Sequence, residues 1–463
     1  MKKGIIVLVF LGSVILNSII ITIMAGVLYW SFTRGDNNQN ELDSMIEEVN
    51  DLVEQKEYDQ ALDMANEIVS RGAEYPPAYV ARCIVHRKLK NYDMGLDDCS
   101  QAIELDGEYG KAYQARSYIY NSMQEYDQAL ADANRAIELT PENAKAYAAR
   151  CWTMGNTKKY QEAIKDCTKA IELDSEYFYS YNLRCFGYER LGEYEKGLKD
   201  CNKAIEINSD YAYAYKNRAD NYEGLGEYEK AIKDATKSIE LDPDLAYAYD
   251  TRSYSYYQQG EYKKALQDIG QAIKLKSDDK YFYHNRGRIY IELNEYMKAI
   301  KDFDQAIKLD SDYLDAYNLR CYAKNQIKEN KDALKDCNKS IELNSEYKWS
   351  YKNRAWVYFD LKEYKKSIND ATSALNLDKE YSPAYEVRGY VYLKLKNYQE
   401  AVNDYSNAIK YDPDDEVSYL NRGFAYEYLD QPDKAIKDYK KALQIKPEYK
   451  LARDNLKSLE GEK

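Results

Sequence analysis

The eight cysteines of this 463-residue chain are its residues best suited to covalent chemistry, and they form four pairs with sixteen-residue spacing. In an oxidising compartment such pairs predict disulfides. Cysteine is also a small residue that packs well in a core, and duplication of a segment that contains both cysteines would give the same pattern. A disulfide further requires the two Cα atoms to be closer than about 7 Å. Zinc is disfavoured because two thiols without a nearby histidine do not complete a site, and no cofactor is expected. The pairs are Cys83/Cys99, Cys151/Cys167, Cys185/Cys201 and Cys321/Cys337.

Charged residues recur with the same regularity. Eleven arginines stand 34 residues apart, and an aspartate follows each of them by sixteen residues. An unpaired charge beside a core is costly, so each arginine needs a partner. Pairing within one period leaves no member alone, whereas pairing across periods strands the first arginine and the last aspartate. We therefore predict a structural ladder whose members include Arg82, Asp98, Arg218, Asp234, Arg422 and Asp438.

A fixed period of 34 residues predicts a repeat solenoid. Within residues 212–245, Tyr215, Ala219 and Tyr222 fall on one face of a first helix. A second helix follows Gly226, and the next repeat begins after it. Each period is thus a pair of helices that packs on its neighbours.

These residues resemble the tetratricopeptide repeat, whose pattern is Trp-x2-Leu-Gly-x2-Tyr, then Ala-x3-Phe, then Pro. Here Tyr215 and its equivalents replace the Trp, and Arg218 and its equivalents replace the Leu. The resemblance covers residues 42–449 as twelve repeats, with a degenerate first repeat at 42–75 and a capping helix at 450–463. It implies an all-α, right-handed superhelical solenoid of antiparallel helix pairs whose first helices line a concave groove.

The N-terminus has the composition of a membrane segment. No charged residue occurs from residue 4 to residue 33, which is long enough for a helix to cross a bilayer core of about 30 Å. A cleaved signal peptide is the alternative, but its apolar region is shorter. We predict a signal-anchor helix at 1–34 that contacts lipid through residues 4–33, and a polar linker at 35–41. Lys2 and Lys3 favour a cytoplasmic N-terminus, which places the repeats outside the cytoplasm.

Aromatic residues recur at positions two and nine of the first helices. The two positions are seven residues apart and therefore lie on one stripe, and the resemblance implies that this stripe lines the groove. Exposed aromatic surface commonly marks a binding site, although packing on adjacent helices explains the same residues. The predicted binding stripe comprises Tyr118, Trp152, Tyr179, Phe186, Tyr213, Tyr247, Tyr254, Tyr281, Tyr322, Trp349, Trp356, Tyr390 and Phe424.

The leading functional hypothesis is a membrane-anchored, non-enzymatic scaffold that binds an extended peptide or protein segment. A glycan-binding surface and a structural spacer or self-assembling array are the alternatives. The net charge of -13 disfavours nucleic acid, and motifs for catalysis or phosphate binding are absent from the sequence. Relatives that clamp a carboxylate use Lys and Asn in the groove. Here Lys352 is followed by Trp356, so that partner is not supported. No oligomeric state is assigned.

Overall fold

A computed structural model describes residues 39–461, and this part of the chain is built from twenty-five helices without a strand. The all-α class predicted from the 34-residue period is therefore confirmed. The helices are α1 (residues 39–54), α2 (Tyr58–Arg71), α3 (Pro76–Lys88), α4 (Tyr92–Leu105), α5 (Gly110–Ser122), α6 (Tyr126–Leu139), α7 (Ala144–Asn156), α8 (Tyr160–Leu173), α9 (Phe178–Arg190), α10 (Tyr194–Ile207), α11 (Ala212–Gly224), α12 (Tyr228–Leu241), α13 (Ala246–Gln258), α14 (Tyr262–Leu275), α15 (Lys280–Glu292), α16 (Tyr296–Leu309), α17 (Leu314–Gln326), α18 (Asn330–Leu343), α19 (Lys348–Asp360), α20 (Tyr364–Leu377), α21 (Ser382–Lys394), α22 (Tyr398–Tyr411), α23 (Glu416–Tyr428), α24 (Pro432–Ile445) and α25 (Lys450–Gly461).

One backbone conformation closes the turn between the two helices of every repeat. The fifteenth residue of all twelve repeats has a positive φ, yet only three of these residues are glycine. Gly226 has φ 74°, whereas Lys362 holds the same turn at φ 61°. Glycine adopts this conformation without a steric penalty. The nine other residues therefore have a small conformational strain, which the packing of their repeats offsets.

The described chain divides into two compact units, with the boundary between Glu227 and Tyr228. Within each unit, the two helices of a repeat pack together and the second helix packs on the first helix of the next repeat. Successive first helices of a unit also contact each other, as α5 contacts α7 in the first unit and α17 contacts α19 in the second. The first helices of each unit therefore share one surface, which we call the first-helix face.

In repeats that lie within one unit, residues eight and twenty-four face each other across the helix pair, and we call them the core pair. Their sizes are complementary. A Cβ on Gly287 would lie 2.6 Å from Cε1 of Phe303, and one on Gly423 would lie 2.5 Å from Cε1 of Tyr439. Where the second helix carries an aromatic ring, the first helix carries glycine, because any larger side chain would overpack the contact.

The ends of the array differ in part from the sequence-based boundaries. The predicted membrane helix at 1–34 lies outside the described residues. Residues 39–41, assigned to the polar linker, are instead helical and belong to α1. At the other end, α25 occupies most of the segment expected to form a capping helix. Between residues 39 and 461, none of the helices combines the length and the apolar character needed to span a bilayer.

Candidate functional site

In every repeat that lies within one unit, the ladder arginine is held by a tyrosine and an aspartate of its own repeat, an arrangement that we call the Tyr–Arg–Asp triad. In repeat eleven, Nε and Nη2 of Arg388 donate to the two carboxylate oxygens of Asp404, both at 2.8 Å. The guanidinium carbon lies 5.6 Å from the ring centre of Tyr385, three residues earlier in the helix. Burial raises the pKa of Asp404, and the hydrogen bonds from Arg388 oppose that rise. The charge pair is therefore a buried structural element, as geometry of this kind usually is.

The same arginines also reach into the preceding repeat. Nη1 of Arg388 donates to Oγ1 of Thr372 at 3.0 Å, and Nη1 of Arg354 donates to Oδ1 of Asn338 at 2.8 Å. In each of these bonds the acceptor belongs to the residue sixteen positions earlier, which we call the stitching residue. Arg286 is the exception among the described arginines of the ladder, because its stitching position is Gly270, which has no side chain to accept the bond. This inter-repeat contact was not predicted from the sequence.

The pairing predicted for Arg82 with Asp98 and for Arg422 with Asp438 is present in the structure. Arg82 donates from Nε to Oδ2 of Asp98 at 2.9 Å, and Arg422 donates from Nε to Oδ2 of Asp438 at 2.7 Å. Arg218 belongs to the first unit, where its guanidinium lies 5.4 Å from the ring centre of Tyr215 and donates to Asn202 at 2.8 Å. Asp234 belongs to the second unit and is buried.

All four cysteine pairs form disulfides in the structure. They occupy the core pair of repeats two, four, five and nine, with Cα–Cα separations of 5.7, 5.5, 5.5 and 5.4 Å for Cys83–Cys99, Cys151–Cys167, Cys185–Cys201 and Cys321–Cys337. Because the core pair brings the two helices of a hairpin to this distance, the sulfur atoms meet without any displacement of the backbone. No cysteine of the chain is left free.

In the first unit, the predicted groove aromatics other than Phe186 form one packed cluster. The ring centre of Tyr118 lies 6.0 Å from that of Trp152 and 6.2 Å from that of Tyr179. Tyr211 extends the cluster to Tyr213, 5.8 Å away. Burial raises the pKa of Tyr118 well above its ordinary value, whereas Tyr213 is 43% exposed. Most of these rings therefore stabilise the packing of adjacent first helices, and Tyr213 presents a surface.

In the second unit, the position-two rings are more exposed than the others. Tyr247, Tyr281 and Trp349 are 38%, 53% and 44% exposed. Lys348 lies 4.8 Å from the ring centre of Trp349 and forms an ion pair with Asp378. The exposed rings thus border a surface that carries fixed lysine charges.

The remaining stripe residues are half-buried against neighbouring rings. Their partners lie within the same unit, at ring-centre distances of 6.4 Å or less. These pairs are Phe186 with Tyr160 at 6.4 Å, Tyr254 with Tyr257 at 6.4 Å, Tyr322 with Tyr296 at 6.4 Å, Trp356 with Tyr390 at 5.5 Å, and Phe424 with Tyr439 at 6.2 Å.

A cleft of about 430 Å³ opens on the first-helix face of the second unit. Three successive first helices, α17, α19 and α21, supply its walls. Trp356, Phe359 and Tyr390 form one wall, with ring centres 5.0–5.8 Å apart. Tyr322 and Lys352 also line the cleft, with the Lys352 ammonium 5.8 Å from the centre of the Tyr322 ring. The volume falls within the usual range of ligand sites, about 300–1,000 Å³.

Among the polar residues that line the cleft, only Lys352 was considered from the sequence, as a position of the carboxylate clamp. Asn325 and Asn353 are 6% and 4% exposed and contribute to its lining. Burial lowers the pKa of Lys352 to about 8, and Glu386 opposes that shift through its charge. Burial, reinforced by Asp415, raises the pKa of Glu386 to about 7. Lys352 and Asn325 lie at positions five and twelve of their repeats. The helical spacing of these positions from positions two and nine places them on the same face, and this is the signal that could have identified them.

Comparison with protein families agrees with this architecture. Family models described as tetratricopeptide repeat match residues 110–143, 144–177, 188–211, 212–245, 246–279, 281–313 and 417–449, and one described as TPR repeat matches residues 389–430. The chain therefore belongs to the tetratricopeptide-repeat family. Comparison with curated proteins gives no match.

Solved structures of similar fold are also found. One is the crystal structure of the APC/C hetero-tetramer Cut9-Hcn1, with a TM-score of 0.50 at 14% identity, covering 90% of this chain and 96% of that one. Another is the crystal structure of yeast Tom70, with a TM-score of 0.45 at 16% identity, covering 91% of this chain and 96% of that one. At such low identity, the first similarity establishes the fold and nothing further.

Proposed function

We propose that this chain is a non-enzymatic scaffold that binds an extended segment of a partner protein along the first-helix face. The cleft between α17, α19 and α21 is the observation that carries the proposal. It combines an aromatic wall with a small number of polar groups, as small recognition sites usually do. Aromatic residues also dominate the energetics of protein interfaces. Trp349 precedes Trp356 by seven residues in α19 and therefore lies on the same face of that helix.

Site-specific photo-crosslinking in cells tests this proposal. A photoreactive phenylalanine analogue is introduced in place of Trp349, which is 44% exposed on a first helix. The matched control carries it in place of Met297, which is 57% exposed on the second helix α16. We expect a discrete protein adduct from the first position and none from the second.

A variant of the cleft provides the complementary arm. Tyr390→Ala removes one ring of the aromatic wall, and the adduct formed through Trp349 should weaken as the bound segment loses that contact. If the adduct persists unchanged, the partner binds elsewhere on the chain. If neither position captures a protein while a glycan array is bound, the chain is a glycan-binding surface. If nothing is bound, it is a spacer.

We further propose that residues 4–33 anchor the scaffold in a membrane and that the repeats lie on the oxidising side. The uncharged N-terminal stretch supports the anchor. The four disulfides support the compartment, because such bonds persist mainly outside the reducing cytosol.

Thiol trapping with intact cells tests the compartment. Cells are quenched in acid and denatured, and the thiols are alkylated before mass measurement of the full-length chain. We expect no alkylated cysteine before reduction. Alkylation of all eight cysteines would place the repeats in the cytoplasm. Carbonate extraction of membranes separately tests the anchor, since a chain released by high pH is not inserted in the bilayer.

A further inference from the structure

Two exposed aromatic rings of the second unit are held in fixed orientations by neighbouring rings. The ring of Tyr247 lies edge-to-face on Phe282 with 5.5 Å between centres, and the ring of Tyr281 lies in the same way on Tyr313 at 5.7 Å. Despite these contacts, Tyr247 and Tyr281 remain 38% and 53% exposed. A ligand that covers rings already held in place loses little further entropy, so the two tyrosines form a preorganised surface.

The two rings are separated by one step of the repeat. Tyr247 and Tyr281 both occupy position two, on α13 and α15, which contact each other, so their side chains point the same way. Packed helices lie about 8–10 Å apart. A polyproline II segment advances about 9.3 Å in one turn of three residues, whereas two residues of a strand advance about 6.8 Å and one turn of an α-helix about 5.4 Å. The spacing therefore matches residues three apart in polyproline II.

The polar groups beside these rings are hydrogen-bond donors. The ammonium of Lys276 lies 5.1 Å from the centre of the Tyr247 ring, and that of Lys280 lies 5.1 Å from the centre of the Tyr281 ring. Each lysine forms an ion pair with an aspartate, and their side chains are still 34% and 26% exposed. A polyproline II backbone has no internal hydrogen bonds and proline has no N–H. Its carbonyl oxygens can accept from ammonium groups, each of which has three N–H donors.

The next first helix presents an acid where the other two present a ring. Position two of α17 is the half-buried Asp315, and α17 contacts α15. The Asp315 carboxylate accepts a hydrogen bond from the hydroxyl of Tyr347, which holds it in place. Asp278 and Asp312, in the loops that precede α15 and α17, are exposed and add negative charge. A lysine or arginine one turn beyond the rings would complement this charge, whereas an acidic residue would be repelled.

We propose that the first-helix face at α13, α15 and α17 binds a polyproline II segment that carries a basic residue. Two prolines three residues apart stack on Tyr247 and Tyr281, and a lysine or arginine three residues further along, in either chain direction, lies beside Asp315. Grooves lined with aromatic residues bind such segments because the ligand is already extended before binding. This inference rests on the proposed peptide-binding function and names the class of segment that is bound.

Binding of labelled peptides to the full-length chain in detergent, measured by fluorescence anisotropy, tests the spacing. One peptide has two prolines three residues apart and an arginine three residues after the second, and another has the reverse order. Their control has the same composition with the prolines four residues apart. We expect one of the first two to bind about 10-fold more tightly than the control, the loss typical of an interface aromatic that no longer makes its contact.

The outcomes separate this inference from the scaffold function. Equal binding at both proline spacings, or tighter binding of a proline-free peptide of the same charge, would overturn the inference and leave the scaffold standing. If no peptide binds while position 349 still forms its protein adduct in cells, this inference alone fails. If that adduct is also absent, the scaffold function fails with it, whether or not a glycan is bound.

Matched variants assign the preference to these residues. Tyr281→Ala should abolish the preference for prolines three residues apart and Tyr281→Trp should retain it, whereas Tyr428→Ala, at a 67% exposed tyrosine that ends α23, should have no effect. Asp315→Asn should remove the preference for arginine over glutamine at the third site, and Asp332→Asn on the second helix α18 should not. Thermal unfolding establishes that each variant is folded. An unchanged spacing preference in Tyr281→Ala, or an unchanged arginine preference in Asp315→Asn, would contradict the proposal.

Discussion

Gly270 interrupts an otherwise regular series of inter-repeat hydrogen bonds, and filling this position should stabilise the array. It lies within α14 at the stitching position of Arg286, which bonds to Asp302 at 2.8 and 2.6 Å but has no stitching acceptor. A Cβ at Gly270 would meet no atom within 4 Å. Asparagine occupies the equivalent position for Arg354, whose bond to Asn338 is 2.8 Å. Gly270→Asn should therefore supply the missing acceptor without a clash.

The expected increase in the free energy of unfolding has two parts, helix propensity and the new hydrogen bond, and the Gly270→Ala variant separates them. Replacing an interior helical glycine by alanine contributes about 1 kcal/mol, and replacing it by asparagine about 0.3 kcal/mol. A hydrogen bond to a charged group adds about 1.5–3 kcal/mol when buried. Arg286 is 25% exposed, so we expect about 1 kcal/mol. Gly270→Asn should then stabilise by about 1.3 kcal/mol and slightly exceed Gly270→Ala, despite the lower helix propensity of asparagine.

The order of the two variants should reverse when the donor is removed. In a background carrying Arg286→Met and Asp302→Leu together, Gly270→Ala should exceed Gly270→Asn by about 0.7 kcal/mol. Native-state hydrogen exchange of α14, α15 and α16 is the suitable assay, because repeat arrays need not unfold in one step. If alanine exceeds asparagine by the same margin in both backgrounds, Arg286 does not use the stitching position and the reasoning is refuted.

Three further outcomes are expected. Asp404→Ala should destabilise repeat eleven by about 2–4 kcal/mol in hydrogen exchange, because Arg388 keeps its charge in a mostly buried site; loss of less than about 0.5 kcal/mol would contradict the structural role of the ladder. The double variant Cys321→Gly with Cys337→Tyr should fold, because the core pair accepts glycine with an aromatic ring, and reductant should no longer destabilise that repeat. The double variant Cys321→Ala with Cys337→Ala should lower the free energy of unfolding by about 3 kcal/mol, because the unfolded chain regains the entropy of the open loop. Lys352→Met should stabilise the chain by about 1–3 kcal/mol below pH 8, and the difference should shrink as pH rises toward 10, because the folded parent releases the lysine proton before the unfolded chain does; a difference independent of pH would contradict the burial of that charge.

The repeated features were predictable because each position was sampled many times by the sequence. The 34-residue spacing of arginine, with aspartate sixteen residues later, fixed both the repeat and the pairing within it, as in Arg388 with Asp404. The sequence also placed the core-pair positions on facing helices. It did not show whether the two helices approach closely enough for a disulfide, because that distance depends on the packing of the hairpin and not on spacing along one chain.

The features that occur once were not predictable from the period. Trp152 and Trp356 occupy equivalent positions, yet Trp152 packs into the cluster with Tyr118 and Tyr179, whereas Trp356 lines a cleft. The neighbouring repeats carry aromatic residues at the same position in both cases, so the difference lies elsewhere. Position two of the next repeat is Tyr179 in the first case, and its ring packs on Trp152, whereas it is Pro383 in the second. The contribution of Asn325 and Asn353 to the lining of the cleft was not predicted, for a related reason. Burial of Asn325 and Asn353 depends on α17, α19 and α21 together.

The helix-pair structure of each repeat is maintained by several kinds of contact, and the residues of the first-helix face can therefore vary from repeat to repeat. Each repeat from the second onward has the Tyr–Arg–Asp residues, while its core pair is closed by a disulfide, by glycine with an aromatic ring, or by other small or apolar residues. Position five of the first helix, in contrast, is Asn182 in one repeat, His284 in another, Lys352 in a third and Glu386 in the next. A side chain that changes in charge while its surroundings stay fixed cannot be required by the frame. Its identity is therefore available for recognition, and this is the physical reason for expecting specificity at the cleft and not at the ladder.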